Sequence, residues 1–446
     1  MGQLFGTDGV RGVANAELTP ELAVGLGRAL VRTLREDGAA YPSVVVGRDP
    51  RVSGEMLEAA LVAGICSAGG EAVMIGVVPT PGVAYLTTYL EADSGAVLSG
   101  SHNPVEDNGI KFFGRDGFKL SDDEEGRIGE LVHRADDDPP IGVAVGRIRH
   151  RSEAVEAYVD HLVATAQGAE LSDLTVVVDC ANGAASEVAP KVLRRLGCEV
   201  TAIHASPDGT NINDGCGSTH PDIVAAAVVE AGADVGLAHD GDADRLISVD
   251  HTGAVVDGDA ILAILAARMH RRDGLDGVVT TVMTNLGFRQ AMEGLGIEVI
   301  QTKVGDRYVL EAMRAGGYAL GGEQSGHLIF AEHATTGDGV LTAVQLLSAM
   351  VRERTPLAQL ATVMRRLPQV LVNVRGIDRR RLDGAGRLWS AVAEAEATLG
   401  SAGRILVRAS GTEPIVRVMV EAGSAERATE IAEGLAGVAA EELRVL

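Results

Sequence analysis

The stretch Val176-Val177-Val178-Asp179-Cys180-Ala181-Asn182-Gly183 shows the pattern that decides the fold, a β-branched run that ends in a polar turn. Similar openings are Val44-Val45-Val46 before Gly47-Arg48-Asp49 and Val278-Val279-Thr280 before Thr284-Asn285-Leu286-Gly287. Longer segments rich in Ala, Leu and Glu lie between such runs. Short apolar strands that alternate with helices are typical of α/β domains. The three openings fit three similar α/β domains, although their spacing is irregular and ordinary α/β chains show such similarity by chance.

This alternation continues to about residue 365 and predicts the following elements. Strands are predicted at Ser43–Gly47, Ala72–Val77, Gly95–Ser99, Thr175–Asp179, Glu199–Ile203, Asp234–His239, Gly277–Met283 and Ile297–Thr302. Helices are predicted at Glu21–Arg35, Gly54–Ala68, Asp122–Arg134, Val155–Ala166, Ser186–Arg195, Asp222–Glu230, Ala260–Met269 and Gly339–Met350.

The pattern changes near Gln369 and indicates a smaller α+β domain. Its predicted strands are Val370–Val374, Arg404–Arg408 and Ile415–Glu421, and its predicted helices are Gly384–Thr398 and Ala425–Ala440. The expected domains are residues 1–152, 153–253, 254–366 and 367–446.

Composition excludes several classes of protein. The 446 residues carry a formal net charge of −23, and such an acidic chain repels nucleic-acid phosphates. Charges or prolines interrupt every long apolar stretch, and the N-terminus lacks a secretion signal, so neither a membrane nor an export route is expected. The four cysteines lie far apart and match neither a disulfide framework nor a zinc finger. Reduced thiols in a cytoplasmic protein are expected.

Three carboxylates alternate in Asp240-Gly241-Asp242-Ala243-Asp244-Arg245, directly after the apolar run Val235–Ala238. Acids at every second position of an extended loop can point to one side, where a cation must offset their repulsion. Oxygen ligands favour Mg²⁺, and three of them leave room for water and a phosphate. A solvated acidic turn is the alternative.

A second loop, Ser99-Gly100-Ser101-His102-Asn103-Pro104, follows a strand and places Ser101 where α/β sheets bind ligands. This location suits a nucleophile, although an ordinary turn explains the pattern equally well. Lys111 follows closely and is a candidate cation or base.

Two more loops present ligand-binding groups. Gly321-Gly322-Glu323-Gln324-Ser325-Gly326-His327 offers a carboxylate, an amide and a hydroxyl that match sugar hydroxyls, or else forms a polar turn. The loop Arg408-Ala409-Ser410-Gly411-Thr412-Glu413-Pro414, with Arg417, offers arginines, hydroxyls and glycine-freed N–H groups that suit a phosphate, or else forms a surface turn with incidental arginines. Together, the four loops predict phosphoryl transfer on a phosphosugar.

The chain resembles the α-D-phosphohexomutases in five segments that run through its whole length. These are Phe5–Gly12, Ser101–Pro104, Asp240–Arg245, Gly322–His327 and Arg408–Pro414. The resemblance implies four domains with mixed sheets around a central cleft, one loop from each. One departure is Gly100, where the family commonly has Ala.

The resemblance also implies roles for individual residues. Ser101 is expected to carry the transferred phosphoryl group and, with Asp240, Asp242 and Asp244, to hold one Mg²⁺ per active site. The residues expected to act in phosphoryl or proton transfer, without a choice of general base, are Arg11, His102, Lys111, Arg245 and His333. Glu323 and Ser325 are expected to bind sugar hydroxyls. The residues expected to hold the phosphate that does not react are Arg408, Ser410, Gly411, Thr412 and Arg417.

The opening Gly6–Arg11 and the loop Gly322–Gly326 look like the glucosamine branch of the family. This implies the interconversion of D-glucosamine 6-phosphate and D-glucosamine 1-phosphate through a 1,6-bisphosphate, which also primes the serine. A homodimer is expected from the family alone. The alternatives are a phosphomannomutase/phosphoglucomutase, a haloacid-dehalogenase-type phosphatase with Asp240 as nucleophile, and a non-catalytic phosphosugar sensor.

Overall fold

A computed structural model describes residues 4–6, 8–134, 139–410 and 415–444, and the strands in these residues form four sheets. The first region contains β1 (Val10–Val13), α1 (Pro20–Glu36), β2 (Ser43–Arg48), α2 (Val52–Ser67), β3 (Glu71–Val77), α3 (Thr80–Tyr89), β4 (Ser94–Leu98), β5 (Asp107–Gly114), α4 (Asp122–Leu131) and β6 (Ile148–His150). The sheet order is β1-β5-β4-β2-β3-β6. Its centre is parallel, and β5 runs antiparallel to β1 and β4.

The second region has a five-stranded sheet in the order β11-β10-β9-β7-β8. Its elements are α5 (Val155–Ala164), β7 (Thr175–Asp179), α6 (Ala185–Arg195), β8 (Glu199–Ile203), α7 (Pro221–Ala231), β9 (Val235–His239), β10 (Leu246–Asp250) and β11 (Val255–Val256). β9 and β10 are antiparallel neighbours, so the aspartate loop is the connection between them.

The third region has a sheet in the order β13-β12-β14-β15. Its elements are α8 (Gly258–Asp273), β12 (Gly277–Thr281), α9 (Leu286–Leu295), β13 (Glu298–Thr302), α10 (Asp306–Gly316), β14 (Leu320–Gly322), β15 (Leu328–Phe330), α11 (Gly339–Glu353) and α12 (Leu357–Leu360). The loop from Glu323 to His327 is the turn of the β14–β15 hairpin.

The fourth region is an antiparallel sheet in the order β16-β18-β17 with two helices. Its elements are β16 (Gln369–Val374), α13 (Gly386–Leu399), β17 (Arg404–Ala409), β18 (Val416–Glu421) and α14 (Ala425–Glu442). The α/β class and the smaller α+β region are as predicted, and the strands at Thr175–Asp179 and Glu199–Ile203 have the expected bounds. The expected strand Gly277–Met283 ends instead at Thr281.

By its contacts the chain divides into two compact units. One consists of residues 1–282 with 297–363, and the other of residues 283–296 with 364–446. The second unit therefore includes α9. Buried polar groups attach this helix: Leu286 N donates to Glu421 Oε2 at 2.8 Å, and Asn285 Nδ2 donates to Leu367 O at 3.0 Å.

Within the first unit, side chains connect the three α/β regions. The Tyr158 hydroxyl on α5 donates to Asp338 Oδ2, the N-cap of α11, at 2.7 Å. Arg307 on α10 contacts Glu125 on α4 at 2.8 Å. Every helix in the described ranges is too short or too polar to span a lipid bilayer.

Helices α1 and α2 cover the first sheet and approach each other closely at two glycines. A Cβ at Gly64 would lie 2.2 Å from the Val24 carbonyl oxygen, and one at Gly27 would lie 2.3 Å from the Leu61 oxygen. Backbone atoms cannot move aside as a flexible side chain can, so a methyl group here must separate the helices.

We expect Gly64→Ala to lower the free energy of unfolding by about 1–3 kcal/mol, because the added methyl group overpacks this contact. Urea and thermal unfolding measure the change. The control is Gly126→Ala on α4, where no atom lies within 4 Å of the added Cβ, and helix propensity should raise stability slightly. Equal stability of the two variants would contradict the packing argument.

Candidate active site

Ser101 lies in the turn between β4 and β5, where its side chain is buried. Its φ of +50° is left-handed, a conformation that L-residues adopt rarely and that is found at functional sites when neighbours enforce it. Ser101 N donates to Ser99 Oγ at 2.8 Å. The Ser101 hydroxyl donates to Asp240 Oδ2 at 2.7 Å. The predicted serine and aspartate loops therefore meet.

Arg51, which the sequence analysis did not single out, holds the serine loop in place. Its guanidinium is fully buried and pairs with Asp49 Oδ2 at 2.9 Å. It also donates to carbonyl oxygens of the loop, those of Ser101 at 2.9 Å, Asn103 at 2.8 Å, Asp107 at 3.1 Å, and Pro104. A Cβ at Gly100 would lie 2.8 Å from Arg51 Cζ, so glycine at this position leaves room for the guanidinium.

Asn213 ties the second region to the serine loop. Its side-chain amide donates to the Ser101 carbonyl at 2.8 Å and to the Asn103 carbonyl at 3.0 Å. Its backbone N–H donates to Ala181 O at 2.9 Å. The position of the serine is therefore set from both sheets.

The three aspartates of the second loop are buried, with exposures of 1% for Asp240, 0% for Asp242 and 5% for Asp244. One ligand atom from each lies within 4.8 Å of those of the others. Asp242 Oδ2 accepts from Thr80 Oγ1 at 2.6 Å. The Oδ1 atoms of Asp242 and Asp244 are buried and make no hydrogen bond within the described residues. Convergent carboxylates with unused oxygens fit a hard divalent cation.

The pKa values of Asp240 and Asp244 in this loop are shifted in opposite directions. Burial, together with the charges of Asp244 and Asp242, raises the pKa of Asp240 well above its usual range. Burial opposes the ionisation of Asp244 as well, but His327 and Arg245 outweigh it and hold the pKa of Asp244 well below its usual range. A cation bound by all three would remove this repulsion.

His327 is a site residue that the sequence analysis quoted without assigning it a role. Its ring is buried, with Nδ1 3.4 Å from Asp244 Oδ2 and Nε2 3.7 Å from Asp306 Oδ2. Burial disfavours its charged form, but the neighbouring carboxylates raise the pKa of His327 above its usual value. His327 thus fixes the orientation of Asp244.

Cations surround the aspartates on the side of the first sheet. Lys111, on β5, is buried with Nζ 3.0 Å from Asp8 Oδ2 and 3.4 Å from Asp242 Oδ2. Arg11, on β1, donates to the Gly100 carbonyl at 3.0 Å. Because β1 pairs with β5, the predicted cations Arg11 and Lys111 come from adjacent strands.

Two further predicted residues flank the serine and the aspartates. Arg245 Nε lies 3.6 Å from Asp244 Oδ1. His102 Nδ1 lies 3.4 Å from Ser101 Oγ. Burial and the charges of Arg245 and Arg11 lower the pKa of His102 to about 4, so its ring is neutral at pH 7. A neutral ring beside the hydroxyl can accept or donate a hydrogen bond.

The hairpin turn between β14 and β15 contributes the predicted sugar-binding groups. Glu323 Oε1 accepts from Gly305 N at 3.2 Å. The Ser325 hydroxyl is buried and makes no hydrogen bond within the part of the chain described here. Leu246 N donates to Gly326 O at 3.0 Å, so the turn is fastened to the strand after the aspartate loop. Unused polar groups at this position suit ligand hydroxyls.

His333 lies elsewhere in the same unit. It lines a cavity of about 320 Å³ with Tyr85, Tyr158 and His161, and its backbone oxygen is 2.9 Å from His161 Nε2. Across the described ranges, no hydrogen bond or ion pair joins His333 to Ser101 or to the three aspartates. The proton-transfer role expected for His333 stays a prediction without a supporting contact.

The predicted phosphate loop belongs to the second unit. Arg408 on β17 is directly opposite Arg417 on β18. Burial and the charge of Arg417 lower the pKa of Arg408. Like charges at opposed positions are unfavourable, and a bound anion would offset their repulsion. Ser410 N donates to Ile415 O at 3.0 Å. The predicted residues Gly411 and Thr412 lie outside the described residues, as does Thr7 of the first motif.

Family models match the chain in sequence order. They describe phosphoglucomutase/phosphomannomutase alpha/beta/alpha domain I at residues 2–138, domain II at 156–253, domain III at 257–367 and the C-terminal domain at 371–438. The chain belongs to the phosphoglucomutase/phosphomannomutase family.

Individual relatives and a solved structure are similar to this chain over nearly its whole length. The chain is 57% identical to a phosphoglucosamine mutase of Streptomyces coelicolor over 445 residues, 98% of each chain. It is 55% identical to that of Thermobifida fusca over the full length of both. A crystal structure of a phosphoglucomutase/phosphomannomutase family protein from Burkholderia thailandensis has a TM-score of 0.84 at 26% identity, covering 99% of this chain and 97% of that one.

We expect Arg51→Lys to destabilise the protein by about 3 kcal/mol, since an ammonium cannot reproduce the buried donor fork and leaves carbonyls and Asp49 poorly paired. Urea unfolding measures the loss, and hydrogen exchange should rise at residues 101–107. Arg127→Lys, at an exposed ion pair with Asp37, is the matched control. It should change neither the free energy of unfolding nor the hydrogen exchange of residues 101–107. Unaltered exchange in the serine loop of Arg51→Lys would contradict the assignment.

Proposed function

We propose that the protein is a phosphoglucosamine mutase that interconverts D-glucosamine 6-phosphate and D-glucosamine 1-phosphate, an isomerase that works by phosphoryl transfer. The observation that carries the proposal is the 2.7 Å hydrogen bond from the Ser101 hydroxyl to Asp240 inside the buried aspartate loop. Relatives with this name at 54–57% identity over nearly the whole chain support the sugar.

The proposed cation is Mg²⁺, held by Asp240, Asp242 and Asp244 with an oxygen of phosphorylated Ser101. The buried Oδ1 atoms of Asp242 and Asp244, free of hydrogen bonds in the described part of the chain, support this choice. Bound there, Mg²⁺ neutralises charge on the transferring phosphoryl group. Thr80 and Lys111 hold Asp242, and His327 holds Asp244, so the ligand oxygens are oriented in advance.

In the first half-reaction, the phosphoryl group of Ser101 passes to O1 of glucosamine 6-phosphate and gives the 1,6-bisphosphate and the free hydroxyl. In the second, the 6-phosphoryl group passes to Ser101 and releases glucosamine 1-phosphate. Arg11, Lys111 and Arg245 stabilise negative charge on the phosphoryl group as it transfers. His102 is neutral and orients the serine oxygen.

The remaining assignments concern the substrate. Glu323 and Ser325 bind sugar hydroxyls. The phosphate that does not react is held by Arg408, Ser410, Gly411, Thr412 and Arg417. The opposed pair Arg408 and Arg417 supports an anion at that loop. The same proposal includes four domains with boundaries at residues 152, 253 and 366. It also includes a cytoplasmic location and a homodimer.

A dehalogenase-type phosphatase is excluded by the family to which the chain belongs. The geometry agrees, because the Ser101 hydroxyl lies 2.7 Å from Asp240 Oδ2, and a phosphatase of this type leaves that serine without a role.

We expect Ser101→Ala to lower turnover roughly 10³-fold or more, because the phosphoryl carrier is lost, while sugar phosphate binding persists. Intact mass after incubation with glucose 1,6-bisphosphate and Mg²⁺ should show one added phosphate on wild type, mapped to Ser101, and none when EDTA replaces Mg²⁺. Ser67→Ala should behave as wild type. Phosphate on Asp240, or full activity of Ser101→Ala, would contradict the assignment of Ser101 as the phosphoryl carrier.

We expect kcat/KM to be highest for glucosamine 6-phosphate when it is assayed beside glucose 6-phosphate and mannose 6-phosphate, with the corresponding bisphosphate as primer. The comparison uses wild-type protein at equal phosphorylation of Ser101. A higher value for mannose or glucose 6-phosphate would replace the glucosamine assignment with a phosphomannomutase/phosphoglucomutase. Absence of turnover with all three, despite binding, would favour a phosphosugar sensor.

A further inference from the structure

A second group of metal-ligating side chains lies in the second region, separate from the aspartate loop. It consists of Asp179, His204 and Cys216. One carboxylate oxygen, one imidazole nitrogen and the Cys216 sulfur all lie within 4.8 Å of one another. No spacing rule reveals this group in the sequence, because its members come from three separate segments.

The sheet explains why they meet. Asp179 is the last residue of β7, and His204 directly follows β8, its parallel neighbour, so both lie at the same edge. The carboxylate of Asp179 is fixed by two backbone donors, Ala181 N to Oδ1 at 2.9 Å and Gly217 N to Oδ2 at 2.9 Å. The second of these bonds places the neighbouring Cys216 against the same carboxylate.

The candidate metal-ligand atoms of His204 and Cys216 are not fully engaged by other groups. His204 Nδ1 is buried and lies 3.1 Å from Asp179 Oδ2, yet it has no hydrogen-bond partner of acceptable geometry within the described residues. Cys216 is buried and not in a disulfide. The His204 side chain is 34% exposed, which leaves one side of the group open to water. A ligand can therefore enter, and a water molecule can complete its shell.

We propose that Asp179, His204 and Cys216 form a binding site for Zn²⁺. Sulfur, imidazole nitrogen and carboxylate oxygen together suit Zn²⁺, whereas Mg²⁺ avoids sulfur. Bonds of about 2.0–2.3 Å place tetrahedral donors about 3.3–3.8 Å apart. His204 Nδ1 and Asp179 Oδ2 are already 3.1 Å apart, and the other separations do not exceed 4.8 Å, so binding needs side-chain shifts of no more than about 1 Å. Water occupies the fourth position.

Binding requires the thiolate, and the unbound thiol is protonated. Burial and the carboxylates of Asp179 and Asp214 raise the pKa of Cys216 to about 12. Zn²⁺ displaces this proton to solvent as the Zn–S bond forms, so each ion bound releases one proton from Cys216. The free thiol is correspondingly a weak nucleophile, which disfavours a cysteine-based catalytic role.

The site would fasten an irregular segment that matters to the serine loop. Residues 205–216 contain neither helix nor strand, and they are held at one end by His204 and at the other by Cys216. Asn213, which donates to the Ser101 carbonyl, lies on this segment. A bound ion lowers the freedom of the segment and stabilises the folded state.

The test uses Co²⁺ as a spectroscopic stand-in for Zn²⁺ on the full chain, with excess Mg²⁺ to occupy the aspartate loop. We expect a thiolate-to-cobalt charge-transfer absorption that saturates at one Co²⁺ per chain and disappears when Zn²⁺ is added. Co²⁺ on the aspartate loop alone has only oxygen ligands and gives no such absorption. Its absence in the wild type would overturn the proposal.

Cys216→Ser should abolish the absorption and weaken Zn²⁺ binding at least tenfold in a competition titration. Cys198→Ser, at a buried cysteine outside the group, is the matched control and should retain both. His204→Asn is the second variant, since asparagine tolerates the φ of +45° at this position. It should also weaken Zn²⁺ binding at least tenfold, and it decides the matter if Cys216→Ser fails to fold. Wild-type Zn²⁺ affinity in a folded variant of either kind would refute the site.

Discussion

The burial of three carboxylates in one short loop is the constraint on which the rest of the first unit depends. Like charges withdrawn from water repel strongly, and they stay together only if neighbouring groups compensate. The structure supplies that compensation from three directions: Lys111 from the first sheet, Arg245 from the loop itself, and His327 from the β14–β15 hairpin. The three α/β regions thus meet around a charge that none of them could hold alone.

The serine is positioned by groups that do not react. The guanidinium of Arg51 binds carbonyl oxygens of the loop, and the amide of Asn213 binds two of the same oxygens from the neighbouring region. These hydrogen bonds to the loop carbonyls hold Ser101 at its left-handed φ. The hydroxyl of Ser101 is therefore positioned against Asp240 by the hydrogen bonds that Arg51 and Asn213 make to the loop, rather than by the serine side chain itself.

Sequence reasoning succeeded where a pattern is local. The parallel strands are β-branched runs, and their ends place the serine and aspartate loops correctly; β7 and β8 have the predicted bounds. It missed β5 and β10, because a buried lysine interrupts one apolar run and the other follows a loop rich in charge. The sequence also contains no signal for contacts between residues that lie far apart in the chain. Nothing in the order of residues shows that Arg51 is fully buried or that His327 contacts Asp244.

The membership of α9 in the second unit has a consequence for biosynthesis. This helix is made about seventy residues before the chain that completes its unit, so the hydrogen bonds from Leu286 N to Glu421 and from Asn285 to Leu367 cannot form during that interval. On the ribosome, water must satisfy these polar groups at the start of α9 until Leu367 and Glu421 emerge. The attachment of α9 to the C-terminal unit is therefore a non-local step that is completed only after synthesis has nearly ended.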